Sequence, residues 1–549
     1  MFGRKVNLGI FVLCLLVSGA VSISIGQDSN FDLLNYHIYN PYAFLTDRLA
    51  QDFYVADVRT YFNPLLDIPY YLMLMHMDSY PYIITFIQGL YYGVLCFLIY
   101  LISFTVLKPD SKLSLVFPIC ASLLGVTNVL LVSEIGTTFN DIQVGIFVLL
   151  AFYILIKNLF EPEGKKRLWL IFLSGLLLGM ITGLKLTAAI PTLGLILAII
   201  FFYKKIINFR QVFIIFLAGC TIGFLLTNGY WMYLMYSHFQ NPFFPYFNEI
   251  FKSEYYPPIS ASDDKFMPVD IAHWLFYPFF WIQPIKTYSS TLLQDLDYAC
   301  EIPFIDLRYA FCYLSALVLA GLGLLKKIGK KKNPAVLSDS DMQKQLIGIF
   351  LVLFIVLSYV VWIIGLATLR YYIPCACLMG IVIMLAAKEL SLRVSSKFIG
   401  VFAAVLVTLT CLFYVKHVDW GRRDYLDKTM VIPDLKIADN SIVFFGKDNS
   451  GCELLSQSYL IPFQNPNAHY IGLAHPEEDI IEKHKKVVDK IIADSGANKF
   501  YFIFTVLCHD INPEKELVKY NKGEFKCARF ETPNNSQRDC LYYICENTN

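Results

Sequence analysis

The chain has 549 residues, of which 56% are hydrophobic, 16% aromatic and only 16% charged, with a formal net charge of +1. That much apolar side chain exceeds what a soluble core can bury, so the composition excludes an ordinary soluble enzyme and points to a polytopic membrane protein. The near-neutral balance, with no basic stripe outside the short loops between apolar runs, leaves no electrostatic footprint for nucleic acid as a partner.

Apolar runs of about 20 residues, the length that crosses a bilayer, recur along the chain. We read about eleven of them, at residues 6–25, 83–107, 113–132, 142–156, 168–184, 188–203, 212–235, 304–325, 346–366, 371–387 and 398–415. The first, which follows Arg4 and Lys5, fits a cleavable signal segment as well as a span; its length and the lack of a small-x-small site favour a span. Orientation follows from the cytoplasmic excess of Lys and Arg. Arg4 and Lys5, Lys108 and Lys112, Lys157 with Lys165 to Arg167, Lys204 to Arg210, Lys326 to Lys344, and Lys388 to Lys397 all fall on one side. The N-terminus is therefore expected inside and the C-terminal part outside.

The first outer loop, residues 27–81, is acidic and aromatic. It opens Gln27-Asp28-Ser29-Asn30-Phe31-Asp32-Leu33-Leu34-Asn35-Tyr36-His37 and continues through Asp57-Val58-Arg59 to an apolar stretch at 63–77, with Pro64 and Pro69 near its start, that reads as a helix lying in the interface. The second outer turn contains Glu134 and Asn140-Asp141, and the third is little more than Gly183-Leu184-Lys185. A long outer loop at 236–303 carries Asn241-Pro242-Phe243-Phe244-Pro245 and, at 270–284, an aromatic, proline-broken stretch expected to form interfacial helices. The last outer turn ends Thr368-Leu369-Arg370-Tyr371-Tyr372.

From about residue 417 the composition becomes that of a soluble module. Expected strands at 441–445, 469–473, 499–506, 526–530 and 540–545 and a helix at 476–494 make a small C-terminal α/β domain, 417–549, outside the membrane, beside a transmembrane unit at 1–416. Cys14, Cys96, Cys120, Cys220, Cys375, Cys377 and Cys411 lie in apolar runs and read as packing residues. Cys452, Cys508, Cys527, Cys540 and Cys545 cluster in the polar part. In an oxidising compartment they would form one or two disulfides and leave at least one thiol over, with the pairing open. No Cys-x-x-Cys pair occurs, which disfavours a zinc site.

Ionisable groups near membrane depth are costly and often functional. Acids from the first two outer turns and bases from later ones can therefore meet in one cavity. A carboxylate at the border of low dielectric is expected to have a raised pKa and to serve as a proton acceptor, which singles out Asp32. A guanidinium can grip phosphate with two parallel bonds, which puts Arg370 first among the anion ligands, then Lys185 and Arg59. Plainer roles compete: a helix cap for Asp32 or Asp28, a headgroup anchor for Arg370, a snorkelling Lys185, a packing role for His37, and a ligand-free aromatic turn at Asn241.

The Asp shortly after the first span, the interfacial first loop, Asn140-Asp141, Asn241-Pro242-Phe243-Phe244-Pro245, Arg370-Tyr371 and the extracytoplasmic C-terminal module together resemble the GT-C integral-membrane glycosyltransferases. The resemblance covers most of residues 1–416 in layout. It implies inverting transfer of a single sugar from a polyprenyl-phosphate-linked donor, with Asp32 as general base and Arg370, Lys185 and Arg59 on the donor phosphate. Glu134, Asn140, Asp141, His37, Tyr36 and Asn241 would then bind sugar or acceptor. No cofactor is expected; Mg or Mn is compatible with the carboxylates but not required. By analogy with the superfamily the setting is a bacterial inner membrane and the acceptor a lipid-linked or surface glycan of the lipopolysaccharide or O-antigen type. Membrane lipids are partners in any case, and the oligomeric state is left open. A lipid-linked glycan flippase, or a glycan polymerase or ligase, is the alternative; a flippase would place its charges at the midplane of broken helices.

Overall fold

The computed structural model of the chain describes residues 3–161, 164–259, 266–268, 270–282, 304–329, 339–393, 396–417, 420–446, 457–473, 478–507, 525–530, 532–534 and 540–547. Helix α1 (Arg4–Ser24) leads into a loop that holds β1 (Gln27–Asp28), a π-helical turn (Leu33–His37), α2 (Tyr39–Leu45), β2 (Val55–Val58) and α3 (Ile68–Met77). Then follow α4 (Pro81–Leu107), α5 (Val116–Val126), α6 (Val129–Ser133), α7 (Asp141–Asn158), α8 (Lys165–Leu184), α9 (Ala189–Phe201) and α10 (Phe209–Phe239). After α11 (Asn248–Phe251) and α12 (Ile271–Phe276) come β3 (Ile305–Asp306), α13 (Arg308–Gly329), α14 (Asp339–Gly365), α15 (Ile373–Ala376), α16 (Met379–Arg393) and α17 (Lys397–Phe413).

Among the described residues, α1, α4, α7, α8, α10, α13 and α14 are each long and apolar enough to cross a membrane, and the segment through α15 and α16, bent by 47°, makes an eighth. The other three expected spans are helical but short. The run at 113–132 is divided because Asn128 caps α6 by accepting a hydrogen bond from the Leu130 N–H, after α5 has ended at Val126. Helix α9, at 13 residues, is about 20 Å long, against a hydrocarbon core of about 30 Å. The stretch expected to be interfacial is α12 continued by a 3-10 turn to Ile282, and residues 283–303 lie outside the described residues.

Two helix crossings show what holds the bundle. Gly175, Gly179 and Gly183 of α8 face Gly219 and Gly223 of α10 so closely that a Cβ on Gly179 would collide with the Cys220 carbonyl. Small residues four apart let two backbones touch where lipid supplies no hydrophobic drive for association. Helix α1 lies on α4 in the same way, with Gly89 against Ser18 and Ser22 and Gly93 against Cys14. At one end of the bundle the basic loops cap helix ends: Arg167 donates to the carbonyls of Asn158 and Leu159, and Lys388 to that of Leu107.

The C-terminal part carries a five-stranded sheet of order β7-β6-β8-β10-β9, built from β6 (Ser441–Gly446), β7 (His469–Gly472), β8 (Lys499–Leu507), β9 (Phe525–Phe530) and β10 (Cys540–Asn547), with α18 (Glu478–Ser495) beside it. Strand β6 pairs in parallel with β7 and β8, while β10 runs antiparallel to β8 and β9. Cys527 and Cys545, directly opposite in the β9–β10 register, form a disulfide; Cys452 and Cys508 lie outside the described residues.

This sheet shares its core with the first loop. Leu33, Leu34, Ile38 and Tyr39 pack with Val443, Leu460, Tyr470 and Ile503. Phe53 bridges Ile471, and β1 pairs with β5 (Arg422–Arg423). Arg48 grips Asp52 with two bonds of 2.7 Å and reaches the Pro466 and Ala468 carbonyls at 2.6 Å. Asp52 in turn accepts from the Tyr470 N–H. The other small sheet, β3 with β4 (Val415–Lys416), joins the start of α13 to the end of α17.

The glycine crossing makes a direct prediction. Gly179→Leu should destabilise the bundle by about 1–3 kcal/mol or more, whereas Gly321→Leu, with nothing within 4 Å of its would-be Cβ, should leave the thermal midpoint in detergent unchanged. Equal midpoints for the two variants would refute the close α8–α10 contact.

Candidate active site

The site begins where α1 ends. Gly26, at φ +99°, turns the chain into β1. Asn30 then accepts the Leu33 N–H at 2.8 Å and donates to Asp28, which fixes the start of the π-helical turn. Asp32 stands at the head of that turn. In α-helical geometry a residue five places on would lie about 140° round the axis. With i→i+5 bonding it stacks close to the first, so Asp32 and His37 share a face. Asp28 is spent elsewhere: its carboxylate accepts from Asn30 and from the backbone and hydroxyl of Thr138, tying the first loop to the second turn.

Three other segments converge on Asp32. The turn after α14 presents Arg370, whose Nη1 lies 3.4 Å from Asp32 Oδ2 and 3.8 Å from Asp141 Oδ2. Asp141 is the first residue of α7, placed by Asn140 in the left-handed region at φ +67°. The loop after α8 brings Lys185, which donates to Asp141 Oδ1 and, at 2.7 Å, to the Phe139 carbonyl. The Arg370 guanidinium lies over the Phe139 ring, 4.3 Å from its centroid, with Trp420 at 5.2 Å. Trp420 is itself fixed by donating to Ser133 Oγ.

A second arm adjoins the first. Asp67 Oδ1 lies 2.7 Å from His37 Nδ1 and accepts from Asn140 Nδ2 at 2.5 Å. Tyr36 packs against the His37 ring, and its phenol is held well above the usual range by burial and by the Asp32 and Asp67 carboxylates. Arg59 pairs with Asp57 at 2.6 Å and covers the Phe31 ring. Glu134 is buried in the turn whose carbonyls at Ser133 and Ile135 are clamped by Arg422. Asn241 is not brought to this cluster by its hydrogen bonds, which go to Phe243, Tyr246 and Asn248 of its own turn.

The expected rise in the Asp32 pKa does not occur. Burial pushes it up, but the charges of Arg370, His37, Arg59 and Lys185 together outweigh burial, and the carboxyl sits below its ordinary value. A border with low dielectric was the correct setting; the cations gathered there decide the sign. Asp67, Phe139 and Trp420 are neighbours of this cluster to which pattern reading gave no role. Asp67 stands at the N-cap of α3 but makes no side-chain cap bond, its carboxylate being turned to His37 and Asn140 instead. Trp420 carried no signal, being distant in sequence from every other member.

An apolar cavity of about 160 Å³ lies against the same turn, lined by Trp281, Tyr309, Tyr359, Leu369, Tyr372 and Val382 among others. Leu369 and Tyr372 belong to the 3-10 turn that carries Arg370, so one turn borders an apolar chamber and a buried cation. Among the described residues no three His, Cys, Asp or Glu side chains are grouped to hold a metal ion.

Polytopic helices, an interfacial first loop with a carboxylate at its start and a C-terminal sheet define a membrane protein of the GT-C fold. ArnT from Cupriavidus metallidurans, a GT-C glycosyltransferase whose crystal structure has undecaprenyl phosphate bound, is similar to this chain with a TM-score of 0.50, over 100% of this chain and 99% of that one, at 10% sequence identity. At that identity the likeness is one of fold. No protein-family model matches the sequence, and no curated protein matches it.

The direction of the Asp32 shift has a measurable consequence. A carboxyl whose folded pKa is depressed contributes stability that is present above its unfolded value, about 3.9, and is lost as pH falls through the folded value. Asp32→Asn should therefore lower the thermal midpoint at pH 7, and the gap between parent and variant should narrow as the pH is taken below about 3.9 toward the depressed folded value. A gap that widened on acidification would contradict the assignment.

Proposed function

We propose that the protein is a membrane glycosyltransferase that moves one sugar from a polyprenyl-phosphate-linked donor to a lipid-linked or cell-surface glycan. The observation that carries this reading is the convergence of Asp32, Arg370, Asp141 and Lys185 at one point, beside an apolar cavity bordered by the Arg370 turn. A donor with a charged phosphate and a polyprenyl tail matches those two environments. Its phosphate would face Arg370 and Lys185, with Arg59 nearby, and the first isoprenes would enter the aromatic chamber. The whole-length likeness to ArnT supports the same donor class.

The chemistry follows from the charges. In the resting site Arg370 lies against Asp32 and keeps that carboxyl ionised and weakly basic. A donor phosphate competes for Arg370 and Lys185, and once those two are neutralised only His37 and Arg59 still oppose the effect of burial, so the basicity of Asp32 rises. Asp32 then accepts the proton of the acceptor hydroxyl as its oxygen bonds to the anomeric carbon. The bond from that carbon to the phosphate oxygen breaks, its electron pair leaves with the phosphate, and the anomeric configuration inverts. Arg370 and Lys185 meet the charge that develops on the leaving group. Tyr36, Glu134, Asn140 and Asp141 are assigned to sugar and acceptor hydroxyls, Asn241 to the rim of the aromatic loop, and no cofactor is invoked.

A lipopolysaccharide or O-antigen type acceptor in a bacterial inner membrane, with the N-terminus cytoplasmic and the C-terminal module periplasmic, suits the one-sided basic loops and a disulfide that persists in an oxidising compartment. Purified protein in proteoliposomes, given a radiolabelled polyprenyl-phosphate sugar and a lipid acceptor, should yield a singly glycosylated product. A ladder would indicate a polymerase, and movement of donor without transfer a flippase. Asp32→Asn should reduce turnover by about 100-fold or more; activity within a few-fold of the parent removes Asp32 as base. Arg370→Ala should depress donor use by on the order of 100-fold with acceptor dependence little changed, and an unaltered donor response would count against the phosphate site.

A further inference from the structure

His37 has a feature that the reading above does not use. Its Nδ1 is bonded to Asp67, but its Nε2, buried with the rest of a 3% exposed residue, has no hydrogen-bond partner. Leaving a buried polar atom unsatisfied is unfavourable. Yet the ring is heavily constrained: Asp67 holds one nitrogen, Asn140 shares and fixes Asp67, and Tyr36 packs against the ring face. Ser458 of the C-terminal part donates to the Asn35 carbonyl within the same turn. An imidazole held by a carboxylate at Nδ1, with an Nε2 that makes no hydrogen bond, has in its neutral Nδ1–H form the arrangement of a general base, and in its charged form is one of the cations that act on Asp32.

We infer that His37 is a second proton acceptor of this site, taking on Nε2 the proton that the acceptor hydroxyl gives up, with Asp67 as its positioning residue. The inference rests on the glycosyl-transfer reading and extends it. The proton passes from the hydroxyl oxygen to the Asp32 carboxylate during attack and then to Nε2, the stacking of residues five apart in the π-helical turn putting both groups on one face. His37 becomes an imidazolium paired with Asp67, Asp32 is restored as an anion, and the phosphate leaves with the electron pair of the broken bond. The charged groups around the ring are Asp67 at the start of α3, Asp32 and the Tyr36 phenol on its own turn, and the Arg370, Lys185 and Arg59 cations that share the field at Asp32. No other described residue hydrogen-bonds to Nε2, so in the neutral Nδ1–H form of the ring it is left as the acceptor for an incoming hydroxyl or for a water that relays for one.

The test is the pH dependence of transfer by the full-length protein in proteoliposomes, for the parent, His37→Gln and Asp67→Asn. Glutamine keeps a polar side chain of similar reach but cannot take up a proton. His37→Gln should lower kcat by about 100-fold, leave the donor KM within about twofold, and abolish or displace the acid limb of the parent's profile. Asp67→Asn, which disturbs the tautomer and removes the charge facing the imidazolium, should displace the same limb with a smaller fall in kcat. An unchanged limb with near-parental kcat in His37→Gln would overturn the inference, as would a change confined to donor KM, which would make His37 a phosphate ligand. If His37→Gln does not fold by thermal melt, Asp67→Asn decides alone: a displaced limb supports the inference and an unmoved one overturns it. Parent protein that neither transfers sugar nor is stabilised by the donor would defeat the glycosyltransferase reading itself and this role with it. That outcome is distinct from a working parent whose variants keep its profile.

Discussion

The guanidinium of Arg370 is the interaction on which the architecture of this end of the molecule turns. It is buried, it faces Asp32 at 3.4 Å and Asp141 at 3.8 Å, and it rests on Phe139 with Trp420 beside it. These partners come from the first loop, the turn into α7 and the start of the C-terminal part, so one cation ties together segments hundreds of residues apart. Burying a charge is unfavourable unless it is paired, and removing one partner of a buried pair typically costs about 3–5 kcal/mol because the remaining charge is stranded. The site is thus an electrostatic unit in which two carboxylates, Asp32 and Asp141, balance Arg370 and Lys185. Such a balance tolerates an incoming anion only by letting it replace one of the resident carboxylates.

How much of this could be read from residues alone depends on the range of the physics involved. The apolar runs are a local signal, and helices occur at all eleven expected places; what hydropathy could not see is where a helix is divided. The break between α5 and α6 comes from Asn128 capping its own successor, and the bend between α15 and α16 lies inside a run that is apolar throughout. The acid and basic residues at the ends of the spans were legible for the same reason, since charge at a membrane border is expensive and stands out. Asp32, Arg370, Lys185 and Asp141 were therefore found, whereas Asp67, Phe139 and Trp420 were not. Their parts depend on which loops meet, and no local pattern carries that.

The π-helical turn shows the same division at finer scale. The stretch Leu33-Leu34-Asn35-Tyr36-His37 reads as ordinary helix by composition, and an α-helical reading would set His37 well off the Asp32 face. The wider turn restores them to one face, alongside Tyr36. Similarly, the pKa of Asp32 depends on a sum whose parts have opposite signs. Burial was visible in the neighbouring apolar residues, but Arg370 lies 338 positions away in sequence, and its effect prevails with help from His37, Arg59 and Lys185.

The C-terminal sheet is bound into this logic rather than appended to it. The first loop has too few apolar residues of its own to bury Leu33, Leu34, Ile38 and Tyr39, and it does so against Val443, Leu460, Tyr470 and Ile503. Arg48 and Asp52 then spend hydrogen bonds on the backbone around residues 466–470, so this buried ion pair doubles as a clamp on the sheet. Strands β1 and β5 add a backbone link at Asp28 itself, whose carboxylate fixes Thr138 and with it the approach to Asn140 and Asp141. The C-terminal part therefore touches the site at two places: it packs against Leu33 and Leu34 of the π-helical turn that follows Asp32 and contains His37, and Trp420 lies beside Arg370. The spacing between the acids and the cation thus depends on packing from both parts of the chain, which is why neither part read alone accounts for the site.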